Sequence, residues 1–195
     1  GSLSVLERVS LSSFVACGHD VTLWTYDRKA LGAVPEGVKV RDAREIIEDD
    51  TRRRNYRHLQ TFSDVFRYAM LLKTGGWWLD LDLILLRPLR VEAAYAVATD
   101  DVQNRINGCA FKCPAGSPLL RRLLDGCAAF DGGVAGSEWG LAGPVLLHRE
   151  IQRARLQPYI LPHYAFNPLP YPAFCRAFLR DSTFWTLGRR ARDQR

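Results

Sequence analysis

Two carboxylates two residues apart, Asp80 and Asp82, interrupt an otherwise apolar run, WWLDLDLILL. Read as a strand, the run turns both acids to one face and Leu79, Leu81 and Leu83 to the other. Such neighbours repel, and they are tolerated when solvated or when a cation lies between them. Oxygen ligands suit a hard divalent cation. Mg²⁺ or Mn²⁺ held by one or two carboxylates commonly fills its remaining positions with water and phosphate oxygens. For a bare D-x-D, a half-exposed strand with acids on its wet side is the simpler reading, because short motifs recur by chance. A second pair shifts that balance: Asp64 and Arg67, three apart, share one side of the segment that precedes the strand.

The elements that must position these four residues are legible around them. Phe62, Val65, Phe66, Ala69 and Met70 recur at helical spacing. Gly75 and Gly76 follow, where a helix commonly stops because glycine accepts the left-handed conformation. The apolar strand then runs to Arg87 and Pro88. Helix, tight turn and buried strand are the predicted local plan.

The residues Ser63-Asp64, Arg67-Tyr68, Leu71, Gly75-Gly76, Asp80, Asp82 and Arg87-Pro88, at this spacing, resemble the D-x-D glycosyltransferases with a sugar-binding region. Initiating mannosyltransferases, α-1,4-galactosyltransferases and clostridial glucosylating toxins are related to that family. The resemblance implies an α/β fold of GT-A type: a mixed, mostly parallel sheet flanked by helices. It implies a nucleotide diphosphate sugar as donor, Mn²⁺ (or Mg²⁺) as cofactor, and hexose transfer with retention to a hydroxyl of a glycan, a polysaccharide or a lipid-linked sugar. It gives Asp82, with Asp80, to the metal, has Asp80 also contact ribose or sugar hydroxyls, and has Asp64 and Arg67 orient the hexose. Asp80, Asp82 and Arg67 are the expected catalytic set. The family opens on a further strand that this sequence starts too late to show, so a sheet without its first strand is expected.

Length and charge bound the alternatives. The 195 residues suit one domain, 1–195, with a Pro- and aromatic-rich irregular region from about 157. No run approaches the ~18 apolar residues of a membrane span. The net charge of +6 permits nucleic acid, an anionic surface or an anionic substrate. The basic high point, 52–58, reads as a solvated face or as a contact for an anionic acceptor or membrane surface. It belongs to no recognisable nucleic-acid module, so nucleic-acid binding is the remote reading. Five cysteines without a CxxC pair suggest reduced thiols and a cytoplasmic protein.

Four further positions are candidates. Residues 3–17 have helical spacing and Gly18 a stop, and VTLWTY follows as a strand. Ligands of open α/β sheets lie beyond the carboxyl ends of strands, which makes Tyr26 and Asp27 candidate nucleotide contacts; a turn-starting Asp is the alternative. A short VKV strand and a helix from Asp42 are expected next, and a strand at 95–100 after Pro88. Asn107 either bonds a sugar hydroxyl or forms an Asn-Gly turn. PLLRRLLDGCAAF reads as an amphipathic helix, and Gly143-Pro144 as the opening of another beside the donor. The chain departs from the family near its end, where Thr183-Phe184-Trp185-Thr186 stands in place of a His-Leu-Trp-Asn-like segment. A weak or inactive nucleotide-sugar binder is therefore the alternative function.

Overall fold

The computed structural model describes residues 2–49, 59–100, 105–129 and 141–168. The basic segment 52–58, the Asp131-Gly132-Gly133 stretch expected to close the amphipathic helix and the segment at 183–186 lie outside the described residues.

Helix α1 (Val5–Ala16) starts at a capping box: Ser4 Oγ accepts from the Glu7 amide at 3.2 Å, and Glu7 Oε2 accepts from the Ser4 amide at 2.6 Å. It buries Leu11 and Phe14, and ends before Gly18, whose φ of +79° reverses the chain. Strand β1 (Val21–Thr25) pairs in parallel with β2 (Val38–Asp42), Val21 opposite Val38. The helix expected from Asp42 is a single 3₁₀ turn, Ala43–Glu45, because the Asp42 carboxylate caps it at the Arg44 amide and the Ile46 amide closes back on Ala43.

Helix α2 (Leu59–Thr74) is the predicted one, and buries Phe62, Val65, Phe66, Tyr68, Met70 and Leu71. Gly75 and Gly76 (φ +62° and +87°) stop it as expected. At Gly75 a Cβ would also lie 2.6 Å from the Ala115 backbone nitrogen. Strand β3 is shorter than the apolar run suggested. It spans Gly76–Leu79, and the Leu83 amide donates to the Asp80 carbonyl, so Asp80 and Asp82 lie in the turn that leaves the sheet. Alternation nevertheless persists without a ladder: Leu81, Leu83 and Leu85 pack inward while Asp82, Ile84 and Leu86 are exposed.

Strands β4 (Ala96–Thr99) and β5 (Ile106–Cys113) complete a second sheet of order β3-β5-β4, antiparallel throughout. The mixed α/β arrangement is as expected, but among the described strands antiparallel pairing outweighs parallel. The reason is local: β5 returns between β3 and β4 and pairs with both. Helices α3 (Pro118–Ala129) and α4 (Leu146–Arg153) cover that sheet with α2, around Tyr68, Leu71, Phe111, Leu120, Leu123 and Leu147. A smaller core unites α1, β1 and the Leu81–Leu85 stretch through Leu11, Phe14, Val21 and Leu23. The described cysteines form no disulfide, and burial pushes Cys109 and Cys113 up to about 11 and Cys127 to about 12. Among the described residues no helix is long and apolar enough to cross a membrane.

Candidate functional site

Arg67 projects from α2 and is only 6% exposed. Burial of a guanidinium is costly unless it is paired. Its Nη1 donates to Asp64 Oδ1 at 2.8 Å and its Nη2 to Asp80 Oδ1 at 3.3 Å. Asp64 lies one helical turn earlier, and Asp80 is brought across by the Gly-Gly turn and the short strand β3. The spacing of three and the Gly-Gly turn thus assemble an acid–arginine–acid chain from two elements.

The packing admits little variation. A Cβ at Gly108, in β5, would lie 2.1 Å from Arg67 Nη1; a Cβ at Gly143 would lie 2.5 Å from Asp64 Oδ2. Trp78, which sequence reasoning passed over, stacks its ring 5.1 Å from the Arg67 guanidinium carbon and donates Nε1–H to Asp80 Oδ1 at 2.6 Å. Its signal in the sequence was its place two residues before the first acid on the same strand face. Arg67 Nε is buried with no hydrogen-bond partner among the described residues. Burial raises the Asp64 carboxyl above its ordinary value, against the pull of Arg67, and the charge of Asp80 raises it further. Partial desolvation and the charge of Asp80 also raise Asp82.

These residues form one wall of an open cleft of about 1740 Å³. The cleft runs between the edges of β1 and β3, each the outermost strand of its sheet among the described residues. Asp64, Arg67, Asp80, Asp82, Asn107, Tyr26 and Asp27 all line it. The local roles of the last three are structural. Tyr26 donates its hydroxyl to the Ile47 carbonyl at 2.6 Å and packs on Phe62 and Phe66. Asp27 Oδ1 accepts from the Lys29 and Ala30 amides, the turn-starting alternative. Asn107 is no turn residue: it lies within β5, and its Oδ1 accepts from the Cys109 amide at 2.9 Å. Gly143-Pro144 stands at a helix opening, as expected. Gly143 forms a kinked turn (φ −93°, ψ −111°), buried against Asp64, and the helical backbone after it leads directly into α4 at Leu146. The Tyr68 hydroxyl ties that turn to α2 by donating to the Ala142 carbonyl at 3.1 Å.

Residues 15–105 match the sequence model of the family described as "Glycosyltransferase sugar-binding region containing DXD motif". This stretch is similar to the DXD region of that family. It holds the acid–arginine chain, both D-x-D acids and the Gly-Gly turn that joins them. No curated protein matches the chain significantly. Among solved structures the chain is similar to one titled "PaToxG Glycosyltransferase", with a TM-score of 0.56 at 12% identity, over 79% of this chain and 64% of that one. That likeness establishes the glycosyltransferase-like α/β fold, and the chain spans less than two thirds of that structure's length.

The acids of the cleft suit a cation. Asp80 Oδ1 is taken by two protein donors, no protein side chain pairs with Asp82 among the described residues, and both acids line the cleft. No cluster of three or more His, Cys, Asp or Glu residues exists among the described residues. Two carboxylates with room for further oxygens fit a hard cation shared with phosphate, which needs no closed protein cage.

Proposed function

We propose that the chain is a metal-dependent glycosyltransferase that moves a hexose from a nucleotide diphosphate sugar to a hydroxyl acceptor with retention of configuration. The observation that carries this reading is the buried Asp64–Arg67–Asp80 chain ending beside Asp82 on the cleft wall. Cleavage of the anomeric bond develops negative charge on the diphosphate and positive charge on the sugar ring. Asp80 and Asp82 would hold Mn²⁺ or Mg²⁺, which when bound would supply Lewis-acid neutralisation of the diphosphate. Arg67 carries fixed positive charge on the cleft wall. Asp64 holds that guanidinium from the side away from Asp80 and, with the Gly108 and Gly143 backbones pressed close, keeps it from rotating. The Tyr26 ring offers the base an aromatic face on the same cleft. Asn107 and Asp27 are polar groups lining that cleft.

A thermal-shift panel of UDP- and GDP-sugars, with and without MnCl₂, tests the reading. A metal-dependent rise with one nucleotide series, and release of free hexose from that donor, are the expected results. No shift with any of these donors, with or without Mn²⁺, would refute it. A shift without hydrolysis or transfer would leave a nucleotide-sugar binding protein.

A further inference from the structure

We infer that Trp78 is a positioning residue that fixes Asp80 and Arg67 together and thereby decides which Asp80 oxygen faces the ligand. This rests on the donor-and-cation reading of the cleft. One side chain meets two opposite charges in the two ways an indole can. Its ring face lies under the Arg67 guanidinium at 5.1 Å, where the negative face of the π system attracts a cation. Its N–H edge donates to the Asp80 carboxylate at 2.6 Å, a short charge-assisted bond. Phe66 packs edge-on against the same ring at 6.4 Å and holds it in place.

The consequence lies in the convergence. The indole N–H and Arg67 Nη2 both donate to Oδ1, so a single carboxylate oxygen receives both protein donors. Oδ2 is then the oxygen left for a cation or hydroxyl in the cleft. Without the indole N–H, Asp80 retains only the longer 3.3 Å contact, and its carboxylate can rotate about its terminal torsion, which is broad and roughly two-fold. Phenylalanine would keep the ring face for Arg67 but not the N–H, so the two halves of the arrangement are separable by substitution. Trp77, its neighbour on β3, cannot serve: it stacks on Phe166 and packs with Ala98 and Cys109.

Two measurements test this on the full chain. The first needs no ligand. The indole ¹H–¹⁵N resonance of Trp78, assigned by its loss in Trp78→Phe, should be protected from solvent exchange and should move on Asp80→Ala. A resonance that exchanges freely and ignores Asp80→Ala would overturn the inference. The second is calorimetric titration of MnCl₂ into protein with UDP. Trp78→Phe should bind about 10-fold more weakly, the effect of losing one hydrogen bond to a charged group. The same substitution should have no effect in an Asp80→Ala background, which removes the acceptor, because Trp78 acts through Asp80. An equal loss in both backgrounds would make Trp78 a direct ligand contact or a packing residue and overturn the positioning role. If the parent binds neither UDP nor Mn²⁺, the donor reading fails, and the indole resonance alone decides whether the clamp exists.

Discussion

Arg67 is where stability and chemistry meet at the scale of one residue. If its pair with Asp64 were exposed, Arg67→Lys would be nearly silent, since such pairs contribute ~0.3–0.5 kcal/mol. The pair is buried, so the expectation changes. Lysine cannot present a fork to Asp64 and Asp80 together, and Arg67→Lys should lose ~1.5–3 kcal/mol in denaturant unfolding as well as most donor turnover. Arg67→Met leaves the Asp64 charge buried and unpaired and should cost more, ~3–5 kcal/mol. Asp82 behaves oppositely. It is exposed beside Asp80, so Asp82→Ala should leave the melting temperature unchanged or slightly raised while abolishing the Mn²⁺ dependence of UDP binding. Asp64 also sets a pH dependence. Its carboxyl is raised in the fold, so the folded protein binds more protons than the unfolded chain between the two values. Its contribution therefore falls as pH rises from about 4 through the raised value and is flat above it. Relative to Asp64→Asn, the parent should gain stability as pH falls from 7 towards 4, measured by chemical denaturation at each pH. A parent that loses ground to Asp64→Asn over that range would contradict the sign.

At the scale of elements, the Gly-Gly turn between α2 and β3 registers the site. Gly75 adopts φ +62° with the Ala115 backbone against the position a Cβ would take. The left-handed conformation alone costs a non-glycine residue ~1–2 kcal/mol, and a backbone neighbour at 2.6 Å has little freedom to move away. Gly75→Ala should therefore destabilise by more than ~2 kcal/mol in urea unfolding and weaken donor binding by displacing Asp80 relative to Arg67. Gly76 has open space around it, so Gly76→Ala should show the backbone penalty alone. Gly108 tests the other side of Arg67. It lies within β5, and Gly108→Ala should drive the guanidinium off Asp64, reducing donor turnover by more than it reduces stability.

At the scale of the whole molecule, the cleft divides the two cores. The α1–β1 core and the α2–β5 core each supply one wall, so a ligand bridging the walls stabilises both. A nucleotide-sugar with MnCl₂ at 100 times its dissociation constant should add ~2.7 kcal/mol. For a chain of this size that is roughly 5–10 °C in melting temperature. The rise should vanish when EDTA replaces MnCl₂. A rise of the same size in EDTA would show that the nucleotide is held by Arg67 and the cleft walls without a metal.

The sequence by itself determined the local plan. The 3.6-residue period from Phe62 to Met70, the Gly-Gly stop and the alternation of leucines with acids follow from backbone sterics and binary patterning, which act over a few residues. The same short-range rules placed Asp64 beside Arg67. Tertiary structure decided the rest. The strand gives out after Leu79 because the chain turns there: the Asp80 amide makes one last bond to the Cys109 carbonyl of β5, some thirty positions away, and the Asp80 carbonyl is taken by the Leu83 amide. Asn107-Gly108 reads locally as a turn but is held in β5, where Gly108 makes room for Arg67. Gly143 stands at the helix opening that its Gly-Pro pair suggests, and tertiary packing adds a second role, space for Asp64. Whether Arg67 is buried, and that Trp78 spans it and Asp80, depends on distances between α2, β3 and β5 that periodicity does not encode, because contacts between elements are fixed only when the cores close.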